Sequence, residues 1–302
     1  MGSWSPSGLW GWEKSAVCCP KLTARGGPAL RFFSISKVFA RNEGSPAFSD
    51  IRRTLLEWPR WLTLGWYDFR TQNSRTILGP FWNTVSTALW VLGLVLVFRP
   101  HMLAADSAYP VYVAGGIVVW NLLSSALSGG SKVFVSRAGV IRNINAPMMS
   151  HILHYVMLLN CRAIFQLPVV AVAFMLQNEP NFAVAWMAVP GYALVVLAVI
   201  PLTLITAITG ARFRDLSNLI SSTMRFLFFM SPVFWQPNGS NWRTSLALVN
   251  PLTYFLEVVR SPLLGVYPSG LSWLVVLSVA AVAWLVGIGA LNRFRNDIVF
   301  WL

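Results

Sequence analysis

Acidic residues are scarce in this chain of 302, where ten Asp and Glu stand against twenty-three Lys and Arg. Only 11% of the residues are charged while 56% are hydrophobic, which leaves too little polar surface to clothe a soluble domain of this length. Cysteine is rarer still. Cys18 and Cys19 are adjacent and Cys161 lies inside an apolar stretch, so a disulfide framework is excluded. Lysine occurs four times and never after a glycine, so the chain has no Gly-x-x-x-x-Gly-Lys-Ser/Thr loop and cannot bind ATP in the P-loop manner. No Asp or Glu falls in the middle of an apolar stretch. That argues against an intramembrane enzyme, which needs placed acids and bases, and against an ion-coupled transporter built on midplane carboxylates or inverted repeats. His151 and His154 stand three apart at the edge of such a stretch, without a third metal ligand nearby, and read as tuning an interface.

What the chain has in abundance is uninterrupted apolar sequence. Six stretches, at 78–98, 109–130, 151–176, 182–210, 216–235 and 271–291, are each long enough to cross a bilayer. About 20 helical residues at ~1.5 Å rise span the ~30 Å hydrocarbon layer. The expected fold is therefore all-α, a polytopic membrane protein with six transmembrane helices. A net charge of +13 would suggest nucleic acid in a soluble protein, but its placement here argues for a membrane face. One set of gaps carries Arg52, Arg53, Arg60, Arg70, Arg75, Lys132, Arg137, Arg142, Arg212, Arg214, Arg293 and Arg295, and the other only Arg99, Arg243 and Arg260. This bias places both termini in the cytoplasm and suits a bacterial cytoplasmic membrane.

Residues 1–49 mix Gly, Pro, Ser and scattered basic residues without an apolar run long enough for a signal sequence. They read as a flexible cytoplasmic tail, or as the product of a misassigned translation start. Asn238-Gly239-Ser240 fits the glycosylation sequon, a match common by chance. Residues 50–77 interleave Trp58, Trp61, Trp66 and Phe69 with Arg52, Arg53, Arg60 and Arg70. Such a stretch lies in the membrane interface, rings at headgroup level and guanidinium groups toward phosphates. The pattern predicts an interfacial amphipathic helix, capped by Asp50 and bent near Pro59. A simple anchoring helix would have the same composition. Gly79-Pro80 then breaks the chain between this segment and the first span, Gly79 permitting a sharp turn and Pro80 starting a helix.

Four groups of residues, in order, carry a resemblance: Leu78-Gly79-Pro80-Phe81-Trp82, Arg212-Phe213-Arg214-Asp215, Ser231-Pro232-Val233-Phe234-Trp235, and Asn250-Pro251 with Glu257 and Arg260. Their order and spacing resemble the membrane permeases of ABC-2 type exporters, those that secrete O-antigen, teichoic acid, capsule or lipid-linked galactan. The likeness runs from Asp50 to the C-terminus. One departure is Gln72-Asn73-Ser74-Arg75, where family members often carry a run of Tyr and Arg.

The resemblance implies a homodimer paired with two copies of an ABC ATPase subunit. ATP and Mg would be bound by that partner, so this chain would hold no cofactor and no catalytic residue. It implies a lipid-linked polysaccharide of the polyprenyl-pyrophosphate type as substrate, and no nucleic acid. Arg53, Arg70, Arg75 and Arg225, with the turn at Leu78 and Gly79, are candidates for holding the headgroup. In the family the first and fifth spans line the conduit, which makes Phe81, Trp82, Trp90, Phe226, Phe229, Phe234 and Trp235 candidate lining residues. An aromatic stripe is also the pattern of helix packing or an interface belt.

A short helix in 131–150, flanked by Lys132, Arg137 and Arg142, would resemble the family's coupling helix against the ATPase, although a solvated basic loop would look similar. The stretch 237–270 resembles a re-entrant outer gate between the fifth and sixth spans, holding Asn250, Pro251, Glu257 and Arg260. The spacing of Glu257 and Arg260 predicts a clasp between them. Arg162 and Arg225 stand inside spans, where a charge faces the bundle, a cavity or a headgroup, and Arg162 reads as neutralising a neighbouring helix end. Another amphipathic lipid or a drug is the alternative cargo, because those relatives share the six-span plan.

Overall fold

The computed structural model describes residues 46–74, 76–98, 108–143, 146–178, 180–237 and 242–302. Most of the expected tail, Arg75 and the sequon at 238–240 lie outside these residues. Among the described residues the chain is helical, with no strand.

The segment expected at the membrane interface is two helices, α1 (Pro46–Leu56) and α2 (Trp58–Asn73), rather than one. They part at Glu57, where the backbone leaves helical geometry at φ −91°, ψ 25°. Pro59 does not cause a later bend, because it lies in the first turn of α2, where a missing N–H is harmless. Glu57 bridges the junction, 3.2 Å from Arg53 and 2.8 Å from Arg60. Both guanidinium groups are exposed, so these ion pairs orient the junction more than they stabilise it.

A 3₁₀ turn over Gly79–Phe81 leads into α3 (Trp82–Phe98), followed by α4 (Tyr109–Gly130). Two short helices, α5 (Val133–Ser136) and α6 (Ala138–Asn143), precede α7 (Met148–Ile164) and α8 (Leu167–Met175). Next come α9 (Phe182–Ala185), α10 (Ala188–Arg212), α11 (Leu216–Met230), α12 (Trp242–Val249), α13 (Pro251–Leu263) and α14 (Gly270–Trp301).

Among the described residues, five segments are long and apolar enough to cross a membrane: Gly79–Phe98, Tyr109–Gly130, Met148–Met175, Phe182–Arg212 and Gly270–Trp301. The expected fifth span differs. Helix α11 stops at Met230 after 15 residues, about 22 Å at ~1.5 Å per residue, and 231–235 continue as irregular chain. The third span is broken at Phe165 and Gln166, just before Leu167-Pro168, because proline in mid-helix removes a donor and clashes with the preceding turn. Thr84 of α3 donates its hydroxyl to the Phe165 carbonyl at the break.

Helix α4 is the axis of the bundle. Of its most apolar stretch 72% is buried, against 11% for Gly79–Phe98, and it touches α3, α7, α8, α10, α11 and α13. On α3 only Thr87 and Val91 are buried. Helices α10 and α14 form the most extensive helix pair.

Asp50 does not cap α1, since it stands inside that helix. Its buried carboxylate accepts the Met149 N–H at 3.0 Å, at the start of α7, where Pro147 offers no side-chain cap of its own. The same carboxylate lies 3.5 Å from Arg295 of α14, and the Ala47 N–H donates to Asn292 at 2.7 Å. Helix α1 therefore docks on α7 and α14 together.

Candidate functional site

Buried non-helical backbone needs hydrogen-bond partners from protein, and the turn 231–235 finds them in distant helices. Tyr109 donates to the Phe234 carbonyl at 2.7 Å, and Tyr112 donates to the carbonyls of Trp235 at 2.7 Å and Pro232 at 3.0 Å. Arg260, buried in α13, donates to the same Pro232 carbonyl at 2.6 Å. Its guanidinium carbon sits 3.8 Å from the centre of the Tyr112 ring, so the ring face and a carbonyl dipole stand in for a counter-ion. Asn250 caps α13 by accepting the Leu252 N–H at 3.0 Å, with Pro251 in the first turn, and donates to the Ser231 hydroxyl at 2.8 Å. The expected clasp between Glu257 and Arg260 is not made. Glu257 instead accepts from Ser272 of α14 at 2.8 Å. Helical spacing makes a pair available, but each side chain found a better partner in an element that packs against α13.

Helix α11 shows a mixed face. Asn218, Leu219, Ser222, Thr223, Arg225, Phe226 and Phe229 are exposed, while Ser217, Met224 and Phe228 point inward. Arg225 donates to Ser222 at 3.3 Å, its only hydrogen-bond partner among the described residues. On the neighbouring α3 and its leading turn, Phe81, Trp82 and Trp90 are likewise exposed. Trp90 approaches Phe228, at 6.4 Å between ring centres. Phe234 is buried against Phe98 and Phe228, and half-buried Trp235 donates to the Phe229 carbonyl at 3.1 Å. Five of the seven candidate lining aromatics thus lie on free surface, Trp235 is half-buried and Phe234 packs inside the chain.

The turn between α2 and α3 is shaped by Gly79, whose φ of +55° is unfavourable for other residues, with exposed Leu78 before it. Arg53 and Arg70 are exposed on α1 and α2. Arg162 stands in the last turn of α7 and donates to Gln72, in the last turn of α2, at 2.9 Å.

Lys132 and Arg142 are exposed beside α5 and α6, but Arg137 turns inward. It donates to Asp68 of α2 at 3.1 Å and to His154 of α7 at 2.7 Å through Nδ1. His154 Nε2 lies 2.8 Å from the same Asp68 oxygen. A neutral imidazole protonated on Nε2 donates to Asp68 and accepts from Arg137 at Nδ1, while the second Arg137 nitrogen, 3.0 Å from Nε2, donates to Asp68 and not to the ring. Burial pushes the Arg137 pKa below its ordinary value, and the Asp68 carboxylate acts in the opposite direction. The two histidines therefore belong to the protein interior rather than to its interface. Sequence reasoning missed Tyr109, Tyr112 and Asp68. The i, i+3 spacing of the tyrosines was the available signal, but their acceptors lie more than a hundred residues away.

Residues 59–264, more than half of the chain, match the model of the ABC-2 type transporter family. The O-antigen export system permease protein RfbA of Myxococcus xanthus is 25% identical over 182 residues, covering 59% of this chain and 69% of that protein. Two proteins of the same name from Klebsiella pneumoniae are 22% and 20% identical over 191 residues, each alignment covering 61% of this chain and 72% of the relative.

Proposed function

This chain belongs to the ABC-2 type transporter family, and on that premise we propose that it is the membrane subunit of an ATP-driven exporter of polysaccharide. The cargo is a glycan on a polyprenyl-pyrophosphate type lipid, moved across a bacterial cytoplasmic membrane. The protein works as a homodimer with two copies of an ABC ATPase, which bind the ATP and Mg, and both of its termini are cytoplasmic.

The observation that carries this reading is the exposed face of α11. Asn218, Ser222, Thr223 and Arg225 at membrane depth are costly against lipid, and the aromatics between them suit sugar rings, whose C–H faces stack on aromatic faces. A face of that composition belongs against a second copy or a hydrated path. The headgroup enters beside Leu78 and Gly79, where Arg53, Arg70 and Arg75 draw its phosphates. Arg225 serves further along, and Phe81, Trp82, Trp90, Phe226 and Phe229 face the moving glycan. Lys132 and Arg142 meet the ATPase. The turn 231–235 and α13 close the outer end.

The test is reconstitution of the chain with its ATPase and measurement of ATP hydrolysis with and without a lipid-pyrophosphate-linked glycan. Stimulation that needs both this chain and the glycan supports the reading. An assembled complex indifferent to every glycan lipid sinks it and points to another amphipathic lipid or a drug.

A further inference from the structure

Helix α2 is fastened to α7 along its length. Gly65 allows the close approach, because a Cβ there would stand 3.0 Å from Met157 and 3.4 Å from the His154 carbonyl. Phe69, buried, stacks on Phe165 with ring centres 5.4 Å apart, and Gln72 holds Arg162. These contacts join α2 to α7 and to the break that follows it. Asp68 is shared with a further element, because Arg137 reaches it from the junction between α5 and α6.

The three partners differ in accessibility. The His154 side chain is 5% exposed, Arg137 25% and Asp68 40%. Asp68 thus sits at the rim, where the segment carrying α5 and α6 meets the interfacial helix, and its carboxylate is the common acceptor. Neighbouring Val133 and Phe134 of α5 and Ile141 of α6 are buried, so a displacement of this segment displaces Arg137 with it.

We infer that Asp68 is a positioning residue for transport, the joint through which movement of the α5–α6 segment is passed to α2. This rests on the exporter reading, in which α5 and α6 face the ATPase. A hydrogen-bonded ion pair with a backing imidazole suits such a joint, since it has direction and resists both pushing and pulling, which apolar contact does not. Phe69, Gln72 and Gly65 then keep α2 seated on α7 whether or not the joint is loaded.

The test uses the full chain reconstituted with its ATPase, carrying Asp68→Asn, Arg137→Gln or both. ATP hydrolysis and movement of a lipid-pyrophosphate-linked glycan are followed in the same vesicles, and the melting temperature of each complex is recorded. Expected is assembly and hydrolysis close to the parent, export lower by about tenfold in each single variant, and a double variant no worse than either. Asp68→Glu, which keeps the carboxylate, restores part of the export. Parallel loss of assembly, hydrolysis and export would show a purely structural tie and overturn the inference, as would unchanged export or multiplied defects.

Parent vesicles that hydrolyse ATP but move no glycan lipid would defeat the exporter reading by itself. The joint is then judged from an environment-sensitive thiol probe on Tyr67→Cys, beside Asp68 and exposed, in a Cys18→Ser, Cys19→Ser background. ATP shifts the probe's emission in the parent and not with Asp68→Asn if the joint operates. An equal shift in both overturns it.

Discussion

Arg260 and Tyr112 converge on one acceptor, the Pro232 carbonyl, with the guanidinium carbon 3.8 Å from the tyrosine ring centre. A buried cation is held here without a carboxylate among the described residues, by one carbonyl and one ring face. Substituting Arg260→Lys removes the planar stack and leaves a point charge in its place. We expect a loss of about 1–3 kcal/mol, the cost of a poorly satisfied buried group. It is read as a lower melting temperature of the purified chain in detergent, and a wild-type melting curve would refute the assignment.

Tyr112→Phe deletes the hydroxyl that serves both Pro232 and Trp235. The expected destabilisation is again about 1–3 kcal/mol. Because Tyr112 and Arg260 share an acceptor, the double variant should lose less than the sum of the singles. Simple additivity in a double-mutant cycle would show that the two side chains act independently.

Asp50 gives a pH signature. Burial raises its carboxyl above the ordinary 3.8, against the opposing pull of the Met149 N–H and Arg295. The folded chain therefore holds this proton more tightly than the unfolded chain does. Its contribution to stability is full below pH 3.8 and is lost as the pH rises through the folded-state pKa. Asp50→Asn, which can still accept from Met149, should flatten that pH dependence. Asp50→Ala should instead cost about 1 kcal/mol through loss of the α7 cap. Melting temperatures across mildly acidic to neutral pH separate the two.

Gly79→Ala probes the α2–α3 turn. Nothing lies within 4 Å of the added methyl group, so the penalty is backbone strain alone at φ +55°. That strain is worth about 1–2 kcal/mol. Thermal denaturation should report it, and an unchanged midpoint would mean the turn relaxes to another geometry.

Arg225→Leu separates lining from packing. The side chain is exposed and meets only Ser222, so the melting temperature of the isolated chain should stay within a degree or two of wild type. Glycan-lipid export by the reconstituted complex should fall at least tenfold if Arg225 meets the pyrophosphate. Intact export would remove it from the path.

The spans were readable because apolar length is a local property: α4 follows it closely, while α14 begins where expected and runs ten residues past 291. The end of α11 was not, since residues 231–235 depend on Tyr109, Tyr112 and Arg260, whose proximity is set by tertiary packing. Asp50 illustrates the same limit. Its position suggested a cap for its own helix, yet the open helix end it serves begins 99 residues later. Glu257 and Arg260 carried a misleading local cue, because three-residue spacing makes an ion pair available without making it the best choice. Exposure of Phe226 and Phe229 followed from the mixed character of α11, whereas burial of Phe234 followed from contacts with Phe98 that no local pattern encodes.

Ala47 and Asn292 are hydrogen-bonded across 245 residues, with Asp50 and Arg295 beside them. A ribosome releases α1 long before it makes α14, so for most of synthesis the early segment has only half of its berth, and Asp50 waits for Arg295. An aromatic, basic surface of this kind suits that interval, because such segments rest on a bilayer. Full docking of α1 therefore waits for the last helix, and a chain cut short before Asn292 would leave α1 held by α7 alone.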